Sequence, residues 1–320
     1  MMSVLQAARP VSPAGLPENI TVDGEILRTA QKIHAVAIVV LPTLGLLAAV
    51  VLAFRYGMTA VDLALFAGMS VLTMVGISVG YHRHFSHRAF QATQPIRVLL
   101  AVLGSAAAQG SLVYWVANHR RHHQYTDRPG DIHSPYVEGV KPLGKLEGFW
   151  HSHMGWTFDH EITNPVVFAK DLYRDRVMSR VNGLYLLWVL LGLLIPLILG
   201  GMITGTVRGA LTGFLWGGLA RMFAIYHVTN AIDSVTHIFG SRPFETGDHS
   251  TNNAWLALPT LGESWHNNHH AFPYSAVFSL RWWQLDLGSL LILGLRRVGW
   301  AWDVRVPAPE MVEAKRQQRG

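Results

Sequence analysis

Charged residues are spread unevenly along the chain. Four runs are almost free of them: 35–54, 63–80, 184–203 and 211–228, the last interrupted by Arg221. A helix of about 20 apolar residues rises roughly 30 Å, enough to cross the hydrocarbon core of a bilayer. The pattern therefore predicts four transmembrane helices. The link between the first two is short ("RYGMTAVD"), so they form a hairpin, and the second pair does likewise. A further apolar run, 98–115, is rich in Ala, Gly and Ser, and reads as a helix packed against protein rather than lipid. Near the C-terminus, "FSLRWWQLDLGSLLILGLRRVGW" mixes Trp, Leu and Arg, which suits a helix lying at the membrane surface. Asp286 and the paired arginines leave too short a clean run there for a fifth span.

Four spans put both termini on one side, and Lys and Arg choose that side. The two hairpin links hold one basic residue each, Arg55 and Arg208, whereas the tails and the segment from Tyr81 to Arg180 are dense in arginine. Tails and central segment are expected to face the cytoplasm, in a bacterial cell the inside of the inner membrane. The predicted architecture is an all-α integral membrane protein with a cytoplasmic helical cap. A proline-bearing N-terminal tail spans 1–32, the main domain 33–306 and a C-terminal tail 307–320. The first 30 residues hold no apolar core segment and do not read as a secretory signal.

Composition sharpens this picture. Half of the 320 residues are hydrophobic and 14% are charged, a membrane-type balance. The net charge of +6 does not indicate nucleic-acid binding, because the basic residues flank apolar spans instead of forming a stripe. With no cysteine, the chain has no disulfides, thiolate metal sites or Cys nucleophile, and its 17 histidines are the abundant metal-ligand type.

The histidines cluster. "HRHFSH" supplies His82 and His87, "HRRHH" supplies His119, His122 and His123, and "HNNHH" supplies His266, His269 and His270. Helical positions i, i+3 and i+4 share a face, so each HxxHH is expected to aim three imidazoles at one point. At this histidine content about 0.05 chance HxxHH matches are expected per chain, and two occur. Arg120 and Arg121 are expected to keep the neighbouring imidazoles neutral, as metal binding requires. Eight histidines exceed the four ligands of a structural zinc, so two metals sharing the set is the simplest account.

In this order, with apolar hairpins between them, the clusters resemble the membrane-bound fatty acyl desaturases of the stearoyl-CoA desaturase type. "GYHRHFSHRAF", "HRRHHQYTD", "GFWHSHMGW", "THIFGSRPF" and "GESWHNNHHAFP" each resemble landmarks of that family, from about Leu63 to Val306. The resemblance implies nine histidines holding two irons: the eight above and His237. It also implies O2 as co-substrate, a cis double bond, expected at Δ9, and water as products. The substrate would be a fatty acyl chain carried as a thioester, expected to be acyl-CoA, with acyl carrier protein and a lipid as the other carriers. Electrons would come from a separate donor such as ferredoxin or cytochrome b5 with its reductase. The family usually has asparagine four residues before the ninth histidine, holding an iron-bound water; here the position is Asp233. A carboxylate there either binds iron or holds water more strongly.

Other residues carry weaker expectations. His84 is expected to pack rather than ligate, and His34 to lie at a span edge. His133, His151, His153 and His160 would support the ligands or meet a polar headgroup; His227 and His249 would be structural. Glu263, Asp127 and Asp131 either bond a ligand imidazole or cap a helix. No HExxH, phosphate loop or GxSxG is present. Phe66 and Ser70, four apart on the second span, are expected to close the acyl tunnel. Two alternatives differ in class: a hydroxylase of the same superfamily, and a membrane metal carrier or sensor. A carrier would place its ionisable residues within the spans, unlike here.

Overall fold

A computed structural model describes residues 9–11, 19–159 and 161–317. The described residues are mostly helical, with a few short strands. Helix α1 (Glu25–Tyr56) begins with an acidic first turn and runs through Pro42 before Gly57, at φ 78°, ends it. Three residues later α2 (Ala60–Ser86) starts on a capping box: the Thr59 hydroxyl accepts from Asp62 N at 3.1 Å, and Thr59 N donates to the Asp62 carboxylate at 2.9 Å. Its last 11 residues, Gly76–Ser86, are wound as a π-helix.

The run 98–115 is not one helix. It divides into α3 (Gln94–Ala106) and α4 (Leu112–Tyr125). Between them Ala108 and Gly110 take positive φ angles, 64° and 107°, which reverse the chain. α3 lies tightly on α2. A Cβ on Gly76 would run into the Gly104 nitrogen, so the contact depends on glycine. Short helical pieces fill 145–183. A second hairpin follows: α5 (Tyr185–Thr204), a turn at Gly205 (φ 66°), and α6 over 207–238, built from Val207–Gly213, a π segment Phe214–Ala220 and Arg221–Ile238. α7 (His266–Ala271), α8 (Leu287–Arg297) and α9 (Pro309–Gln317) complete the chain.

Among the described residues, α1, α2 and α5 are long and apolar enough to cross a membrane. The expected fourth run lies in α6, helical throughout but outside that set of three. Its interrupting charge, Arg221, is fully buried. The guanidinium donates to Ala106 O at 2.8 Å, an orphan carbonyl at the end of α3, to Gly192 O at 3.1 Å and to Gly217 O at 3.2 Å. Large apolar side chains stay exposed along α1 (Val36, Leu44, Leu47, Val51) and α5 (Leu190, Ile195, Ile198), a surface suited to lipid. α8 has 11 residues, capped by Asp286, and is too short to span.

Residues 1–8 and 12–18 lie outside the described part, but Thr21–Asp23 is a strand between Arg9–Val11 and Ile162–Thr163, and α1 already starts at Glu25. At the other end α9 packs down on the third histidine cluster, with Lys315 Nζ donating to Ala271 O at 2.7 Å.

Candidate metal centre

The cytoplasm-expected ends of α2, α4, α6 and the short helix α7 converge, and all nine predicted histidines meet there. They form two groups. His82, His87, His119, His123 and His269 bring their ligand nitrogens within 4.8 Å of one another; His122, His237, His266 and His270 do the same.

The geometry corrects one expectation. Each HxxHH does not aim at a single point. The i,i+4 pair His119 and His123 enters the first group, while His122 turns to the second; on α7 the pair His266 and His270 enters the second group and His269 the first. The two boxes thus interlock. The first box works by a different winding. In the π-helix the backbone bond joins residues five apart, and His87 N donates to His82 O at 3.1 Å. His82 and His87 therefore meet edge to face on one side of the helix, with ring centroids 4.9 Å apart.

Facing Nε2 atoms are 3.0 Å apart for His82 and His269, 2.8 Å for His87 and His119, 2.9 Å for His269 and His123, and 3.0 Å for His266 and His237. Nitrogens about 2.1 Å from one ion, at right angles, are about 3 Å apart, so the spacing fits a shared ion. The buried Nε2 atoms of His122 and His270 have no hydrogen-bond partner. A buried polar atom without a partner is costly, and a metal at that point satisfies it. Imidazole donors suit iron, zinc or copper.

Four carboxylates aim four of these rings. His122 Nδ1 donates to Asp131 at 3.0 Å, His237 Nδ1 to Asp127 at 3.0 Å, His270 Nδ1 to Asp248 at 2.9 Å, and His82 Nδ1 to Glu263. Each bond fixes the tautomer that leaves Nε2 free. Asp127, Asp131 and Glu263 thus take the imidazole-bonding role of the two expected for them. Asp248 was missed: it reaches His270 from a loop 22 residues away, where spacing carries no signal. Behind Glu263 sits a fully buried arginine, Arg83, donating to Glu263 at 2.9 Å and to Asp286 at 2.9 Å, stacked on Phe278.

Neutrality comes from burial rather than from the arginines. Burial, and then the neighbouring imidazoles, hold His119, His123, His266 and His269 well below the usual imidazole range. Arg120 acts on His87 only as a minor cause, after burial and other histidines. The two arginines are spent elsewhere: Arg120 on Asp171 and the carbonyls of Phe85, Ser86 and Phe168, Arg121 on Glu161 and Gly130 O. His122 and His237 go the other way. Burial opposes their charge, but Asp131 and Asp127 outweigh it, raising His122 to about 9 and His237 above its ordinary value.

Asp233 belongs to neither group. It faces His133, with Oδ1 4.0 Å from that Nδ1, and burial pushes its carboxyl up to about 6. His133 stacks on His122, with centroids 4.4 Å apart. His84 packs, as expected, between Phe85 and Phe90, near Phe90 O. His153 bridges the Ser234 hydroxyl and His227, and His249 lies on Tyr136. His160 is outside the described residues.

A cavity of about 450 Å³ reaches the centre at His82, His119 and His266, and its wall includes Asp233 and His133. It runs outward to α1 and α5, where His34 lines it edge-on to Tyr185. The expectation for Phe66 and Ser70 is not met. Neither lines the cavity; Phe66 packs edge-to-face on Trp216.

The fatty acid desaturase family model matches residues 58–293. The chain is 47% identical to hex-5-enoyl-[acyl-carrier protein] acetylenase of Moorena producens (strain JHB), over 95% of each chain. It is 36% identical to the chloroplastic palmitoyl-monogalactosyldiacylglycerol delta-7 desaturase of Arabidopsis thaliana, over 90% of this chain and 72% of that one. With the sn-1 stearoyl-lipid 9-desaturase of Anabaena variabilis it shares 35% identity, over 72% of this chain and 79% of that one. The chain belongs to the fatty acid desaturase family, whose members are membrane-bound oxidoreductases acting on fatty acyl chains.

Proposed function

We propose that this protein is an O2-dependent two-iron enzyme that removes two hydrogens from adjacent carbons of a fatty acyl thioester, leaving a cis double bond. The observation that carries the reading is the nine-histidine set, divided five and four, at the inner end of a cavity suited to an acyl chain. The balance is R–CH2–CH2–R′ + O2 + 2 e− + 2 H+ → R–CH=CH–R′ + 2 H2O. When bound, iron supplies the oxidant strong enough for an unactivated C–H bond, which no side chain can.

The protein's part is holding and shielding. The five-histidine group would hold one iron and the four-histidine group the other. Asp127, Asp131, Asp248 and Glu263 keep four of the rings in register, and Arg83 fixes Glu263. The cavity wall orients the chain and excludes water. Asp233, close to an imidazole at the cavity edge, has its carboxyl raised by burial to about 6, so it takes up a proton just below neutral pH. We read residues 211–228 of α6 as the fourth span and the histidine face beyond it as cytoplasmic, at the inner membrane of a bacterial cell, because Lys and Arg concentrate on that side.

The similarity to the acyl-carrier-protein acetylenase favours acyl carrier protein over coenzyme A as carrier. The same similarity favours a second reading, in which the substrate already holds a double bond and the product is an alkyne. For Δ9 the support is the family resemblance alone, as the relatives named above include delta-7 and 9 desaturases. The test is the iron-loaded protein in lipid, supplied with O2, a reduced ferredoxin and acyl carrier protein loaded with saturated or terminally unsaturated chains. Mass spectrometry should show loss of two hydrogens, and metal analysis about two irons per chain. One metal per chain, or an oxygen-bearing product, overturns the reading.

A further inference from the structure

The two ligand groups are not supported alike. In the four-histidine group three rings are held through Nδ1, His122, His237 and His270, each by its own aspartate. In the five-histidine group His82 alone is held by a carboxylate among the described residues, and that carboxylate is Glu263. The direction of one ring in this group therefore depends on where Glu263 sits.

Glu263 is held by two further donors, the Ser78 hydroxyl from four residues before His82 and Arg83 Nε at 2.9 Å. Arg83 in turn is clamped on its far side. Its Nη1 donates to Ala276 O at 2.9 Å and to Asp286 Oδ2 at 3.2 Å, and its Nη2 lies 2.9 Å from Asp286 Oδ1. Asp286 is also the cap of α8: its Oδ1 accepts from Ser289 N at 2.9 Å, and its Oδ2 accepts from Phe278 N at 2.8 Å. The first turn of α8 presses on the same guanidinium. A Cβ on Gly288 would stand 3.0 Å from Arg83 Cζ and 3.1 Å from Leu261 O. Arg83, Glu263 and Asp286 are all buried, so each charge depends on the others for a partner. Only a planar fork of donors reaches both carboxylates and a carbonyl at once.

We propose that Arg83 and Asp286 are positioning residues for one of the two metal positions: the guanidinium, clamped between α8 and the third histidine cluster, holds Glu263 where it aims His82. The inference rests on the two-metal reading above. The four-histidine position takes its carboxylates from Asp127, Asp131 and Asp248 and lies outside this path. A shift of the first turn of α8 moves Arg83, then Glu263, then the His82 Nε2 that faces the metal.

The test uses purified, metal-free protein in detergent, titrated with Co2+ and followed by visible absorption and chelator competition. Wild type should take two equivalents. Arg83→Lys, Asp286→Asn and Gly288→Ala should each weaken one equivalent about tenfold and leave the other as in wild type. Asp286→Asn retains a residue that caps helices well, and Gly288→Ala changes no charged group, so both keep the test open if Arg83→Lys folds poorly. Gly288→Ala should add nothing on a Glu263→Gln background and should add in full on Asp131→Ala. If wild type binds fewer than two cobalt ions, the two-metal reading fails and the positioning role with it. If wild type binds two and the variants weaken both equivalents alike, or neither, Arg83 is a structural charge and the positioning role falls alone. An effect of Gly288→Ala that adds to Glu263→Gln also overturns it, because the path then does not pass through that carboxylate.

Discussion

Each Nδ1 bond from a clustered histidine to a buried carboxylate replaces a rotating donor with a fixed one, and this decides where Nε2 points. Asp131 touches His122 and also accepts from Asp127 N at 2.9 Å, so it aims a ligand and holds a turn together. Asp131→Ala should therefore weaken iron binding about 10- to 100-fold, read by metal titration of the purified protein. Unchanged affinity would mean that packing alone orients His122. Asp233 makes a separate case. In metal-free protein its raised carboxyl pKa means that the folded state holds a proton the unfolded chain has lost. The cost is absent below the ordinary carboxylate pKa of 3.8 and grows as pH rises through about 6. Asp233→Asn should then raise the Tm of the metal-free protein at pH 8 and leave it unchanged below about pH 4, measured by thermal scans in detergent. It should also remain active, while Asp233→Ala loses more. The six histidines of the two HxxHH boxes were legible because they recur at helical spacing in a chain that otherwise spends few polar residues near its spans, whereas His237 came from the family resemblance alone. Asp248 was not, since a loop residue 22 positions from its partner leaves no periodic trace.

Helix winding explains what the boxes can and cannot say. On α4 and α7, i and i+4 fall into one ligand group while the remaining histidine crosses to the other, a division that depends on two helices facing each other and not on either alone. On α2 the π winding of Gly76–Ser86 makes the five-residue step a vertical one, which α-periodicity would have put on different faces. That winding lies where α2 meets α3. The Gly76 carbonyl approaches Gly104, and Tyr81 bonds Ser105 at 2.8 Å. Gly76→Ala would push backbone against backbone, which no rotamer change relieves. The expected effect is a loss of about 2 kcal/mol or more of stability, with lower Tm and reduced metal content, because His82 and His87 ride on the same turns. Gly68→Ala, at a position where an added Cβ meets nothing within 4 Å, is the matched control and should behave as wild type.

At the scale of the whole molecule, the apolar cavity that reaches the centre is, on the proposed reading, what sets which acyl chain fits. The sequence pattern pointed to α2 as the tunnel floor because α2 runs directly into the first box. Packing decided otherwise: Trp216 of α6 meets Phe66 with ring centroids 6.0 Å apart, closing the α2–α6 seam and leaving the space between α1 and α5. Along α1 the cavity wall is formed by Leu27, Gln31, His34 and Ile38, which share one helix face. At 1.5 Å per residue this stripe is about 16 Å long. Ile38 stands at the end farthest from the helix start, so a bulkier side chain there shortens the space available to a chain lying along α1. Ile38→Trp should shift the product profile to shorter acyl chains, with long chains losing turnover most. Phe66→Ala should leave the profile as it is, since the seam it opens does not line the cavity. Both variants can be read in one assay, a competition among acyl thioesters of graded length followed by mass spectrometry. A profile changed by Phe66→Ala and untouched by Ile38→Trp would place the acyl chain along α2 after all and empty the α1 stripe of its role.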